Sequence, residues 1–377
     1  MSESVVFEVR PAKGGRSVGV ARLNRPDSLN SLNLEMCAAL YQQLLQWQDD
    51  DSVAMVVLEA SGERAFCAGG DLHGLYAGMQ ENTEGNAWNN AYAREFFEVE
   101  YRLDYLLHRY NKPVLCWGNG IVMGGGVGLF MACSHRVCSD TTRWAMPEIS
   151  IGLFPDVGGT WMLSHLPAGM GYFLALTGAQ LGASDCLHLG LANYYLPQDQ
   201  YAQLQVSLLE QSWTDCPVHN ADLLDQVLSQ ETVSRDLAPG PLQQHYHSIR
   251  ASFAGLSFER MCEQIQAWAT VDDAWLARAA KTFMAGSPGS ARLSYSLLRQ
   301  ARYLSLADVF RLEYIVSLQC GVQGDFQEGI RALLVDKDKQ PRWNPATLAD
   351  ATDQWVQRYF VPAWPAEQAS PLADLGA

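Results

Sequence analysis

A glycine-rich turn set between an apolar run and a short helix constrains this chain more than any other stretch. Pro113-Val114-Leu115-Cys116-Trp117 leads into Asn119-Gly120-Ile121-Val122-Met123-Gly124-Gly125-Gly126-Val127-Gly128, and residues 126–133 lead out as a helix. A strand that ends in consecutive glycines and turns into a helix leaves free backbone N–H groups at the helix start. The helix dipole favours negative charge there, and glycines let a ligand approach the backbone with no Cβ in the way. The turn is therefore a candidate site for an anion, or for an oxygen that becomes one during a reaction. A tightly packed helix start is the alternative.

The 377 residues suffice for two domains or for one large domain with additions, and 48% hydrophobic content supports a full core. A net charge of −15 argues against nucleic acid or an anionic membrane as the main partner, while leaving room for a local basic patch facing a phosphorylated ligand. The nine cysteines are scattered without a CxxC pair, which fits reduced thiols in the cytoplasm. Cys133 and Cys138 flank His135, too sparse a pattern for a metal site, so no metal is expected. The N-terminus, MSESVVFEVR, has no basic region followed by an apolar one, so no signal peptide is expected. The apolar run around Ile121 is short and broken by glycine, so it does not read as a membrane span.

Residues 5–10 and 17–23 alternate like two strands around Gly14-Gly15. Residues 34–47 have helical periodicity, with Asn33 as a candidate cap, and residues 53–59 read as a strand buried on both faces. Gly62-Glu63-Arg64-Ala65-Phe66-Cys67-Ala68-Gly69-Gly70-Asp71 is a second place where small residues bring the backbone close to something. Residues 87–108 read as one long helix carrying Glu95, Glu98 and Glu100, for which a solvated face is the default. The alternation of strand, turn and helix predicts an α/β core. Short strands are expected at 135–139, 143–146 and 192–196, and short helices at 160–165, 171–177 and 184–189. Between them Glu148 and Asp156 lie among apolar residues, prolines and glycines. There they are either proton-transfer groups with raised pKa, or an exposed loop acid and the cap of a helix beginning at Val157. From residue 200 to 336 the patterns are helical: 200–212, 222–229, 242–253, 257–268, 273–285, 290–301 and 306–320, with breaks at Pro217, Pro239-Gly240-Pro241 and Gly286-Ser287-Pro288-Gly289. From Pro341 on, a segment rich in Pro, Ala and Trp reads as extended or loosely packed.

Three motifs stand in a recognisable order: Ala65-Phe66-Cys67-Ala68-Gly69-Gly70-Asp71, the Asn119 to Gly126 turn, and Met146-Pro147-Glu148 followed by Pro155-Asp156-Val157-Gly158-Gly159. Together they resemble the crotonase (enoyl-CoA hydratase/isomerase) superfamily. Within it, residues 146–159, 174–178 and Asp325-Phe326-Gln327-Glu328-Gly329-Ile330-Arg331-Ala332 with Asp336-Lys337-Asp338 are similar to the 3-hydroxyisobutyryl-CoA hydrolases. The resemblance implies an α/β fold, a spiral of ββα units. Residues 1–198 would form the core with the acyl-CoA site, 199–340 a helical region and 341–377 an extension.

The resemblance also implies an acyl-CoA ligand, with no separate cofactor, whose thioester oxygen lies between the N–H groups of Gly70 and Gly125. Attack on a thioester puts charge on that oxygen, and one lost donor costs about 3 kcal/mol of barrier. Hydratases of the superfamily use two glutamates. One matches Glu148; the position of the other is Gly128, which has no side chain to titrate, while Asp156 stands where hydratases usually have glycine. That swap is what the hydroxyacyl-CoA hydrolases show, and their substrate contacts map onto Glu100, Gly125, Glu148 and Asp156, with Ala68 beside them and Glu98 as the alternative register to Glu100. Glu148 would either deprotonate a water or attack the thioester directly, and Asp156 would orient the substrate hydroxyl or the water. Arg25 is a candidate for the CoA phosphates, and Lys337 a weaker one; an ordinary surface charge is the alternative for both. An enoyl-CoA hydratase or isomerase and a non-catalytic acyl-CoA-binding protein are the rival readings, and a homo-oligomer, trimer or dimer, is compatible with the superfamily. 3-Hydroxyisobutyryl-CoA, from valine breakdown, is the family expectation for the substrate.

Overall fold

The computed structural model describes residues 3–82, 85–167, 169–231 and 237–377. The first two residues of the expected core, and of the N-terminal stretch judged to lack a signal peptide, lie outside them. The chain forms two compact units: Met1–Gly70, Arg102–Trp144 and Gln180–Gln244 make the first; Asp71–Tyr101, Ala145–Ala179 and His245–Ala377 the second.

The strands are β1 (Val5–Pro11), β2 (Ser17–Leu23), β3 (Val53–Ala60), β4 (Ala65–Cys67), β5 (Val114–Gly118), β6 (Ile121–Met123), β7 (His135–Cys138), β8 (Arg143–Ala145) and β9 (Tyr194–Tyr195). Six form one sheet in the order β1-β2-β3-β5-β7-β9, and three form a second, β4-β6-β8. The β1–β2 hairpin is antiparallel, and from β2 to β9 the large sheet is parallel. Each strand of the large sheet from β3 to β7 is followed by a short strand of the small one, which is the repeated ββ step of a spiral. β3 and β5 are buried almost throughout, as central strands of a parallel sheet must be.

The strands sort their two faces by alternation. On β2, Val18 and Val20 join Met55, Val57, Leu115 and Trp117 in a core closed by Leu204, Leu208, Leu224 and Leu228. These last come from the helices Tyr201–Leu209 and Pro217–Glu231. Gly19, between the two valines, has no side chain because Trp47 of the helix Leu34–Asp49 fills that space; a Cβ there would lie 3.1 Å from the indole. Asn33 caps this helix as expected, accepting from Met36 N–H.

The second unit is helical. Its helices begin where sequence chemistry places caps: Ser257, Asp273, Ser287 with Pro288 at the first turn, and Ser305 each accept a backbone N–H. Pro217, read as a break, opens a helix instead, and the helix expected over 87–108 is a short 3-10 turn, Ala87–Asn89, followed by the helix Ala91–His108. Three helices were not legible, Leu72–Glu81, Asp325–Ile330 and Asp353–Gln357. The first contains Gly74 and Gly78, which look like breakers, yet they make room for Tyr92 and Asn90. The segment after Pro341 is mostly irregular but tied down: Ala351, Val356, Tyr359 and Leu372 are buried, and Arg292, Arg311 and Gln319 donate to its carbonyls. Among the described residues no helix is long and apolar enough to cross a membrane.

The start of the helix Gly125–Ala132 packs on β4 with nothing between the backbones. A Cβ on Gly126 would lie 2.3 Å from the carbonyl oxygen of Cys67. Gly126→Ala must push the two apart, and is expected to lower stability by about 1–3 kcal/mol. Urea unfolding of the variant reads this directly; an unchanged midpoint would show that the approach is not tight.

Candidate active site

The glycine amides belong to the first unit. β4 and β6 pair in parallel, so the loop after β4 and the turn after β6 leave the small sheet side by side. A Cβ on Gly69 would lie 3.7 Å from Gly125 N. Gly124, at φ 51°, turns the chain into the helix and offers no side-chain cap. The Gly125 N–H is therefore one of the helix-start donors that no turn of the helix can satisfy. Gly70 is bridged to Leu32 through the backbone of the Leu32–Gly69 pair. Ala68 donates its N–H to Leu29 O at 3.0 Å and is half-buried. Arg25 is also half-buried, and its guanidinium donates to the carbonyl of Ser31 at 2.8 Å. It ties down its own loop. Lys337 is exposed, at φ 56°.

The carboxyls belong to the second unit. Glu148 opens a 3-10 turn, Glu148–Ile151, and is buried, 4% exposed. The turn is gripped from several sides. Ser287 N–H donates to Ile149 O at 3.0 Å, Ser290 donates to Leu153 O, and Gly152 and Gly329 allow close backbone contact with Asp325 and Ile151. Asp156 is 5% exposed. It does not cap the following helix, which starts at Gly159 after Gly158, a residue with no side chain to cap it. Its Oδ2 instead accepts the Tyr101 hydroxyl at 2.8 Å. On the helix Ala91–His108, Glu95 is exposed, Glu98 half-buried and Glu100 buried, so Glu100 is the residue in register with the other acids. The expectation of exposed or capping acids thus fails at Glu148, Asp156 and Glu100, all of which are buried.

Burial sets the electrostatics. It pushes Glu148 well above the usual carboxylate range, helped by the charge of Asp156 and opposed by Glu148's own N–H. It does the same to Glu100, again with Asp156 adding repulsion. Asp156 is raised to about 6 by burial, against the lowering pull of the Tyr101 hydrogen bond and its own N–H. Such groups titrate as a set rather than singly. One oxygen of Glu100 and one of Glu148 are buried with no hydrogen-bond partner among the described residues. Buried polar atoms are nearly always paired, so both oxygens lack the partner that burial ordinarily requires.

Two residues beside the acids were not singled out from sequence, Tyr101 and Glu313. Glu313 is fully buried and accepts from the N–H groups of Gly158 and Thr160 at 2.7 and 3.1 Å and from the Thr160 hydroxyl. The signal existed. Val309, Glu313, Val316 and Cys320 share one buried stripe of the helix Leu306–Cys320, and an acid on an apolar stripe is either paired or functional. Among the described residues no cluster of three or more His, Cys, Asp or Glu could hold a metal. His135 meets Ser134 and Asp225 instead.

The raised carboxyls make a stability prediction. Each holds its proton more tightly folded than unfolded, so the native state binds more protons between the two pKa values, and stability falls as pH rises through that window. Glu148→Gln and Glu100→Gln remove the cost. Both are expected to raise Tm near neutral pH, with the gain shrinking toward about pH 4, where the unfolded carboxyl also takes up its proton. Melting curves at the two pH values check it; a variant less stable than the wild type near neutrality would contradict the burial cost.

The sequence matches the family model described as enoyl-CoA hydratase/isomerase over residues 18–360. A zebrafish (Danio rerio) protein named 3-hydroxyisobutyryl-CoA hydrolase, mitochondrial, is 37% identical over 363 residues, covering 96% of this chain and 91% of that protein. One of the same name from Xenopus tropicalis is 36% identical over 344 residues, covering 91% of this chain and 86% of the relative. Among solved structures, one described as a carnitinyl-CoA dehydratase from Mycobacterium thermoresistibile superposes with a TM-score of 0.83 at 36% identity, covering 96% of this chain and 97% of the other.

Proposed function

The chain belongs to the enoyl-CoA hydratase/isomerase family, and on that premise we propose that it hydrolyses 3-hydroxyisobutyryl-CoA to 3-hydroxyisobutyrate and coenzyme A, a step of valine breakdown. The observation that carries this is the pairing of two buried carboxyls, Glu148 and Asp156, in a chain whose second hydratase position is Gly128. Adding water across a double bond needs an acid and a base at the two carbons. A hydrolase needs its acids at the thioester carbon, with a donor for the oxygen. The names of the vertebrate relatives support the same substrate.

On this reading the N–H groups of Gly70 and Gly125 hold the carbonyl oxygen as charge develops on it. Glu148, held above the usual range by burial, takes the proton of the attacking water, or itself attacks to give an anhydride that water then opens. In the first route Glu148 passes that proton to the departing sulfur; in the second the sulfur leaves as the thiolate and the water that opens the anhydride supplies its proton, so that CoA leaves as the thiol in both. The partnerless oxygens of Glu100 and Glu148 suit the 3-hydroxyl and the water. Asp156, nearer ionisation than its neighbours, orients one of them. The substrate carries its own coenzyme A, and no further cofactor enters the scheme. Nine free cysteines support a reducing compartment.

A thiol reagent tests this, because a hydratase or isomerase frees no CoA. A panel of acyl-CoA thioesters is expected to release CoA fastest from 3-hydroxyisobutyryl-CoA, with 3-hydroxypropionyl-CoA second; binding of these thioesters without turnover would reject hydrolysis. Glu148→Gln is expected to cut kcat by about 100- to 10,000-fold while leaving acyl-CoA binding intact. The kcat/KM profile is expected to fall on the acid side as Glu148 takes up its proton, at a pH above the ordinary carboxylate range; an acid limb at an ordinary carboxylate value would contradict a buried base.

A further inference from the structure

The helix Leu306–Cys320 puts Glu313 and Ser317 one turn apart, both fully buried. Ser317 Oγ lies 2.6 Å from the Tyr101 hydroxyl, and that hydroxyl lies 2.8 Å from Asp156 Oδ2. A phenol has one proton. It goes to the carboxylate, so Ser317 is the donor to the phenol oxygen, and the chain of bonds runs Ser317 to Tyr101 to Asp156. Each donor in such a chain strengthens the next. Tyr101 itself is fully buried and packed edge-on or tilted against Phe97, Phe310 and Tyr314, so its ring has no other orientation available.

The turn that carries Asp156 needs holding. Val157 sits at φ 55° and Gly158 at φ 76°. A β-branched residue in the left-handed region is strained and persists only where its surroundings fix it. Glu313 supplies that fixture. It caps the helix Gly159–His165 from a different helix, taking the N–H groups of Gly158 and Thr160.

We propose that Tyr101, backed by Ser317, is a positioning residue that fixes the direction and hydrogen bonding of the Asp156 carboxylate, so that its other oxygen is the one presented to the substrate. Its place in a mechanism rests on the hydrolase reading above; the contact itself does not. Five titratable groups face Asp156: Glu100 and Tyr101 from the helix Ala91–His108, Glu148 from its 3-10 turn, and Glu313 and Cys320 from the helix Leu306–Cys320. Of these Tyr101 alone donates a hydrogen bond to it, so loss of the phenol removes the one neighbouring side chain that favours the ionised form.

The test is the titration of the Asp156 carboxyl in the full chain, followed by carbon NMR with labelled aspartate and assigned by its loss in Asp156→Asn. Tyr101→Phe is expected to move that titration upward by about one pH unit, and Ser317→Ala in the same direction by less. Should Tyr101→Phe fail to fold, Ser317→Ala decides alone. An unmoved titration overturns the proposal, since a merely structural tyrosine would alter melting and not the carboxyl. A wild type that releases no CoA would sink the hydrolase reading while the titration still decides this one.

Discussion

Everything in the second unit follows from keeping carboxyl groups out of water. Glu100, Glu148, Asp156 and Glu313 are all buried. Moving an isolated carboxylate into an apolar interior is so costly that the group normally takes up a proton instead. Among the described residues no cation neutralises the set: the donors to Asp156 and Glu313 are hydroxyls and backbone amides. Those donors grade the acids. Glu313, with three, is a well-satisfied structural acceptor; Asp156, with Tyr101, is held to about 6; Glu100 and Glu148 each keep an oxygen with nothing to bond. Satisfaction is thus unequal within one buried set of acids.

The first unit uses the backbone where the second uses side chains. Parallel pairing of β4 with β6 fixes which residues leave the small sheet together. The contact of Gly126 with Cys67 then sets how close the helix start comes to the loop after β4. An amide at a helix start needs no side chain and no proton exchange to stabilise charge. Its direction is only as good as the packing beneath it, which is why Gly126 cannot be exchanged for a larger residue without moving the backbone.

The sequence made much of the first unit legible, though not its short strands β4 and β6. Alternation marked β1 and β2, an unbroken apolar run marked β3, and the glycine turn marked the helix start, because each of these depends on local chemistry. It carried the site less evenly. Glu148 and Asp156 were visible as acids among apolar residues, but their burial depends on what lies over them. The cap reading of Asp156 was locally reasonable and failed because Tyr101, 55 residues earlier in the chain, competes for the carboxylate. The choice between Glu98 and Glu100 was decided by helix phase: Ala93, Phe96, Phe97, Glu100 and Leu103 form one buried stripe. Leu72–Glu81 was hidden because glycines that admit Tyr92 and Asn90 look the same, in one dimension, as glycines that end a helix.

The late part of the chain has a physical role that its distance from the motifs obscures. Asp325 accepts the N–H of Asn344 at 2.7 Å, and its backbone lies where a side chain on residue 152 would be. Gly329 lies against Ile151 in the same way, so the motif 325–332 forms the floor of the turn that carries Glu148. Helix starts at Ser287 and Ser290 hold the same turn from the other side. A short 3-10 turn has poor internal hydrogen bonding and would not by itself keep a buried carboxyl aimed. Its precision therefore comes from these anchors. Residues 325–332 need not touch a substrate to matter, because an acid displaced by an ångström loses much of what it contributes to a reaction.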